Sequence, residues 1–392
     1  MMILNDICDV ITCGVAKRPE YVEKGVPFLS SKNVKSNRFI LKAYNHVSKE
    51  DYLSLTKNNK PEVDDILYTR VGSFGEAAVI DLDFDFAIFV SLTLLKPKKE
   101  IVLPRYLMHY LNSPKIKHLA NNSTSGVGVQ NLNVKVVREF PINLPPLDQQ
   151  KKIAAILDAA DTYRQKTKAL ITKYDALTQS LFLDMFGDPV SNPKGWETIS
   201  LVNYGTFKNG LNFGRNEAGV VLKYLGVGDF KSLYKIDDIE TLSNIELNSL
   251  PSEGYLLQNG DLVFVRSNGN KALVGRCVEV TSGDIEVTFS GFCIRYRVES
   301  PEINPSYLAQ LFRNKSFKAM MLKGGRGANI QNINQKILAE IKIPLPGIPL
   351  QNQFIDRIRA IETQKAQAEA SLVHAENLFH SLLQRAFNGE LV

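Results

Sequence analysis

The residues best equipped for chemistry in this chain lie in short, polar, glycine-bearing loops, and the loops come in pairs. TRVGSFG (69–75) carries Arg70 and Ser73, and VRSNGNK (265–271) carries Arg266, Ser267, Asn268 and Lys271. TSGVGVQN (124–131) carries Gln130 and Asn131, and GGRGANIQN (324–332) carries Arg326, Asn329, Gln331 and Asn332. SSKNVK (30–35) adds Lys32 and Asn33. Two glycine-turn regions add Lys17 and Arg18, then Lys208 and Asn209. Guanidinium, ammonium, amide and hydroxyl groups on loops make directional hydrogen bonds and charge pairs with a polar partner. That is the chemistry of recognition.

The chemistry of reaction is not signalled. The four cysteines (Cys8, Cys13, Cys277, Cys293) form no C-x-x-C pair and read as buried, reduced thiols of a cytosolic protein. The five histidines do not cluster with them, so no metal ligand is assigned. There is no G-x-x-x-x-G-K-[ST] loop and no G-x-G-x-x-G after a strand; GGRGAN (324–329) follows a helical pattern instead. There is no G-x-S-x-G elbow. No methyltransferase tetrapeptide of the N-P-P-Tyr type occurs, and LPPL (144–147) lacks the amide. These independent absences favour a binding protein over an enzyme, with no catalytic residue.

The elements that must position the loops are themselves doubled. PRYLMHYL (104–111) returns as PSYLAQLF (305–312), QNLN (130–133) as QNIN (331–334), and FPINLPPL (140–147) as IKIPLPGI (341–348), all at an offset of 201. That period is far beyond a solenoid repeat of roughly 20–50 residues. Residues 1–145 mix β-branched and aromatic runs, such as GVPFLSS (25–31), DDILYTRVG (64–72) and AIFVSLTLL (87–95), with turn signals. RYLMHYLNS (105–113) reads as a helix whose first turn Pro104 pre-sets and whose end Pro114 follows.

Residues 147–187 contain no proline or glycine before Gly187, with Asp148 as the expected N-cap and Gly187 as the stop. Ile153, Ile156, Ala160, Tyr163, Thr167, Leu170, Tyr174, Leu177 and Leu181 recur in steps of three and four. About 40 such residues make a rod of about 60 Å. Residues 348–388 repeat it, with Phe354, Ile358, Ile361, Lys365, Ala368, Leu372, Ala375, Phe379, Leu382 and Ala386 as its stripe. Arg164 and Lys365 interrupt the two stripes and are candidates for fixing register.

The expected architecture is α+β: two mixed α/β globular domains, each followed by a long helix, the two helices packed as an antiparallel coiled coil with pseudo-two-fold symmetry. The boundaries read 1–145 for the first domain, 146–187 for the central helix, 188–345 for the second domain (188–196 being a linker) and 346–392 for the C-terminal helix.

Composition adds little. The chain has 392 residues, 44% hydrophobic and 22% charged, with a net charge of +6. A polyanion partner fits this charge without being required by it. The N-terminus has no basic segment before its apolar residues, and no run of 18 apolar residues exists. A cytoplasmic location without membrane contact is expected.

The order, doubling and spacing of these motifs resemble the specificity subunits of type I restriction–modification systems. INLPPLDQQKKI (142–153) and IPLPGIPLQNQF (343–354) carry the resemblance, with SLFLDMFGDP (180–189), NPKGWE (192–197), SLLQRAFNGEL (381–391) and the opening ICDVITCGVAKRPEYVEKGVPFL (7–29). It covers the full chain. It implies that each globular domain recognises one half of a bipartite double-stranded DNA target. The helices would set the spacer and dock two modification (methyltransferase) subunits, with restriction/translocase subunits joining that core. S-adenosylmethionine, and ATP with magnesium, would belong to those partners, leaving no cofactor on this chain.

Under this resemblance the loop residues named above become candidate DNA contacts, since base edges are read by Arg, Lys, Asn, Gln and Ser. The motifs repeated in both copies suit a structural turn or a generic contact to the DNA backbone. Gly126, Val127, Arg326 and Asn329 differ between copies and suit specificity, which makes the implied target asymmetric. Ile153, Ile156, Tyr163, Leu170, Tyr174, Leu177, Leu181, Phe354, Ile358, Ile361, Leu372, Phe379 and Leu382 are the candidates for the helix seam and partner docking. The competing readings are a two-headed protein scaffold that does not bind DNA, and an enzyme whose motif is hidden.

Overall fold

The protein, as a computed structural model, is described over residues 2–16, 18–72, 74–123, 131–214, 217–230, 235–323 and 332–391. It divides into two compact units, Met1–Ala169 with Glu369–Val392, and Leu170–Ala368. Each unit therefore takes a stretch of both long helices. The expected boundaries followed the sequence punctuation and set the helices apart.

In the first unit, strands Cys8–Cys13, Leu92–Pro97, Ile66–Thr69 and Ala77–Val79 form an antiparallel sheet in that order. The sheet is buried on both faces. Ile66, Tyr68 and Leu95 face one apolar cluster with the helices, while Leu67, Leu92 and Leu94 face another. A strand two-sided in burial reads as an uninterrupted apolar run, which is why DDILYTRVG is legible as a strand. Beside it, Asn45–Val47 pairs antiparallel and Ala87–Ile88 parallel with Val26–Leu29.

The second unit repeats this order. Gly205–Asn209, Cys293–Val298, Leu262–Val265 and Cys277–Val280 form the sheet, with Lys235–Ile236 added parallel at its edge. Ser243–Leu247 and Val287–Phe289 flank Val220–Leu225.

Two local expectations change, and one gains a second role. AIFVSLTLL is two strands, because Leu92 N–H closes a turn onto the Phe89 carbonyl at 2.9 Å. Pro114 follows the end of helix Pro104–Leu111 as expected, and it also begins a second helix, Pro114–Asn122, whose cap is Ser113; a proline at the first helical turn lacks only an N–H that the helix does not use. Asp148 lies inside the first turn of the helix Leu147–Phe186, where its charge favours the helix dipole. Gly187 ends that helix as expected, at φ +80°, and a Cβ there would meet Pro193 at 2.7 Å.

The start of each long helix is held by one buried glutamine. Gln150 accepts from Leu103 N–H at 2.9 Å and donates to the carbonyls of Ile101 at 3.0 Å and Pro145 at 2.9 Å. Gln351 does the same 201 residues on, accepting from Asn304 N–H at 2.8 Å and donating to Glu302 at 3.0 Å and Pro346 at 2.7 Å. Both side chains are buried.

Within each unit the two helical stretches run antiparallel. In the first, Arg164 is buried above the Phe379 ring, 4.2 Å from its centroid, and pairs with Asp161 and Glu376. Lys168 reaches Glu376 at 2.5 Å. In the second, Lys365 reaches Asp175 at 2.8 Å, and Phe354 meets Phe182 and Phe186 edge-to-face with centroids 5.6 and 5.1 Å apart. Arg164 and Lys365 thus pair across the seam in their own units.

The stripe of Ile348–Asn388 lies where the periodicity puts it, with Phe354, Ile358, Ala368, Ala375, Phe379 and Ala386 buried. The stripe of Leu147–Phe186 does so only in part. Ile156, Tyr163, Leu170 and Leu177 are exposed by 37–53%, and the buried face runs through Ile153, Leu157, Arg164, Thr167 and Phe182. Ile153 and Thr167 are thus packed as expected, whereas at 156 and 163 the packed residues are the next ones along, Leu157 and the polar Arg164.

We predict that Gln351→Leu lowers stability by about 2–4 kcal/mol, because three buried backbone groups lose their partner. Denaturant unfolding measures it, and a loss below about 1 kcal/mol would contradict the role given to this amide.

Candidate nucleic-acid interface

The paired loops of the sequence meet in the structure. In the first unit, Val71 bridges Asn131, and Arg70 accepts from Leu132 N–H at 2.9 Å through its carbonyl. In the second, Ser267 bridges Asn332, and the Arg266 carbonyl accepts from Ile333 N–H at 2.9 Å. The last residue of each shared motif, Asn133 and Asn334, caps the helix that follows, through bonds of 2.9 Å to Lys135 N–H and Ile337 N–H. This accounts structurally for the sameness of the last three positions of QNLN and QNIN.

Both units open a cleft of about 530 Å³ at the ends of their parallel strand pair. The first cleft is lined by Arg18, Tyr21, Ser30, Ser31, Lys32, Tyr44, Val71, Gly72, Phe89 and Ser91 among others. The second is lined by Tyr224, Gly226, Val227, Ser267, Asn268, Gly269, Ser290, Phe292 and Asn332. The backbone frame is shared. Ser30 N–H meets Asn33 Oδ1 at 3.0 Å where Gly226 N–H meets Asp229 Oδ2 at 2.8 Å. Arg70 N–H meets the Ser91 carbonyl at 3.0 Å where Arg266 N–H meets that of Phe292 at 2.8 Å.

Gly14 and Gly210 mark a close crossing of this frame, since a Cβ would lie 2.1 Å from the Ile88 carbonyl oxygen and 2.2 Å from that of Ser290. Among the described residues, one loop beside the clefts differs in length. Gly75 N–H closes onto Thr69 where Gly275 N–H closes onto Val265, so the second loop is four residues longer. It holds Ser267, Asn268 and Lys271.

The candidates divide accordingly. Arg18 and Lys32 are exposed on the first cleft, with the Arg18 guanidinium 5.8 Å from the Phe89 centroid. Ser267, Asn268 and Asn332 line the second cleft, and Lys271 is exposed nearby in sequence. Asn131 is exposed and Arg266 half-buried.

Two candidates serve the scaffold. Asn33 is buried and donates to the carbonyls of Ile40 at 3.0 Å and Ala43 at 2.8 Å. Arg70 is buried and donates to Leu132 at 2.9 Å and Val90 at 3.1 Å. Loop polarity drew attention to both, but internal carbonyls use it. Lys208 and Asn209 precede Gly210 on their strand, whereas Arg18 follows Gly14, so these two sets are not equivalent. The Lys208 ammonium sits 4.4 Å from the Tyr255 ring centroid. Lys17, Ser73, Gly126, Val127, Gln130, Arg326, Asn329 and Gln331 lie outside the described residues.

Sequence reading missed the aromatic walls, Tyr21, Tyr44 and Phe89 in one cleft and Tyr224 and Phe292 in the other. Phe89, Tyr224 and Phe292 stand in or beside apolar runs that read as ordinary strand content, and Tyr21 and Tyr44 are single aromatics among polar residues. Cys8, Cys277 and Cys293 are buried as expected, and burial pushes Cys8 and Cys293 up to about 12; Cys13 is only half-buried. Among the described residues no three His, Cys, Asp or Glu side chains group to hold a metal, and no helix is long and apolar enough to cross a membrane.

Residues 1–173 and 193–371 match the family model of the type I restriction modification DNA specificity domain. The chain belongs to this family. It is similar to the StySPI specificity subunit of Salmonella potsdam, with 26% identity covering 93% of this chain and 82% of the relative. It is similar to the EcoKI specificity subunit of Escherichia coli, with 22% identity over the same shares. The fold matches a type I specificity subunit from M. genitalium with a TM-score of 0.56 at 16% identity, covering 98% of this chain and 95% of that one. It also matches a chain from a structure of type I restriction–modification complex assembly with a TM-score of 0.61 at 17% identity, covering 100% and 97%. The protein is a sequence-specific DNA-recognition subunit of the type I restriction–modification class.

We predict that Arg70→Ala costs about 2–4 kcal/mol of stability, while Lys32→Ala stays within about 0.5 kcal/mol of the parent. Thermal and denaturant unfolding of the two variants checks this; equal costs would contradict the division between scaffold and cleft.

Proposed function

We propose that each unit recognises one half of an asymmetric, bipartite double-stranded DNA target, and that the chain itself catalyses nothing. The observation carrying this reading is one backbone frame built twice, with a cleft at the same strand ends and different side chains in each cleft. A common frame suits a common duplex geometry, and different linings suit different base sequences. Loop 266–274, longer than its counterpart, belongs to the same difference.

The long helices, which contribute to both units, are proposed to set the gap between half-sites and to dock two methyltransferase subunits. Exposed Ile156, Tyr163, Leu170 and Leu177, spaced by seven on one helix, favour that second role. Restriction and translocase subunits join the same complex in this reading, in the cytoplasm. S-adenosylmethionine, and ATP with magnesium, act on those partners.

Long-read methylation mapping of the host with and without this gene tests the proposal. One discontinuous motif is expected to lose its methylation on deletion, and loss of no motif would sink the reading. Binding by the assembled complex is also expected to weaken steeply with salt, as several phosphate contacts require. Salt-insensitive binding would favour a protein scaffold.

A further inference from the structure

Phe292 is 60% exposed and lines the cleft of the second unit beside Tyr224, Ser267, Asn268 and Asn332. Its backbone is held firmly. Its N–H donates to Ser290 Oγ at 3.2 Å, and its carbonyl accepts from Arg266 N–H at 2.8 Å and Ser267 N–H at 3.4 Å. The ring is therefore presented to solvent from a fixed frame. The first unit has Ser91 at this place, buried, its Oγ accepting from Ser31 N–H at 3.0 Å. The frame thus works with a serine, and folding does not call for an aromatic here.

An apolar ring beside two asparagine amides matches the major-groove edge of one base pair in particular. Asparagine pairs with adenine N6 and N7, and an apolar side chain contacts the thymine methyl group. We propose that Phe292 is a specificity-determining residue, packing on the 5-methyl of a thymine in the half-site recognised by the second unit. This rests on the DNA-recognition reading above.

The test uses the assembled complex and duplexes carrying its own methylated motif, with each thymine replaced in turn by deoxyuridine. At one thymine of one half-motif, loss of the methyl is expected to weaken binding by the parent roughly four- to tenfold, the worth of one buried methyl and its contacts. Phe292→Ala, and Phe292→Ser as the residue the first unit uses, are expected to bind the thymine duplex more weakly by a similar factor. Both variants should then be indifferent to that methyl. At every other thymine, parent and variants should respond alike.

Equal deoxyuridine effects in parent and variants at all positions would overturn the proposal. So would a half-motif lacking A·T pairs, or an equal loss on cognate and unrelated duplexes. A parent complex that prefers no motif at all would overturn the DNA-recognition reading with it.

Discussion

Each long helix is tied to its globular unit by a glutamine that satisfies three buried backbone groups. Gln150 and Gln351 join the first turn of the helix to the strand-to-helix approach before Pro104 and Pro305, and to the proline segment entering the helix. An unmet buried donor or acceptor costs about 1–3 kcal/mol, so the three bonds act together to fix where the helix begins. Tyr307 supports the second copy of this joint through a 2.9 Å bond to the Pro344 carbonyl. Everything the helices do depends on their start being held in register with the strands that form the cleft.

The same economy runs through both units. Asp65 pairs with Lys96 at 2.7 Å in the first, and Asp261 with Arg297 at 2.7 Å in the second. In each, the aspartate also accepts from a backbone N–H three residues earlier, Glu62 or Gln258. The planar guanidinium of Arg297 adds a second bond, 2.8 Å to Asp261 Oδ1, which the point charge of lysine does not match. Bonds that build the frame are kept or exchanged for equivalents, whereas residues facing the clefts are not. A protein that must present two different surfaces on one scaffold is expected to divide its sequence in this way.

Much of the fold was legible because its causes are local. Strands buried on two faces give apolar runs, and the helix from 348 to 388 shows an apolar stripe that packs as written. The other long helix misled in part, because its packed face includes Arg164, whose burial depends on Glu376 and the Phe379 ring in distant sequence. Asn33 and Arg70 misled for the converse reason. Their polarity looked available, yet internal carbonyls consume it. The repeat itself held the missing signal for the glutamines, since Gln150 and Gln351 share the 201 offset. The aromatic walls of the clefts had no such signal, because in sequence an exposed Phe292 looks the same as a buried Phe289.

The central claim is that recognition divides between the units, one half-site to each. The most direct measurement replaces residues 1–145 with the first recognition domain of another specificity subunit and maps the methylated motif of the hybrid complex. The account predicts that one half of the motif changes while the other half stays as it was. A hybrid that alters both halves, or neither, would contradict it.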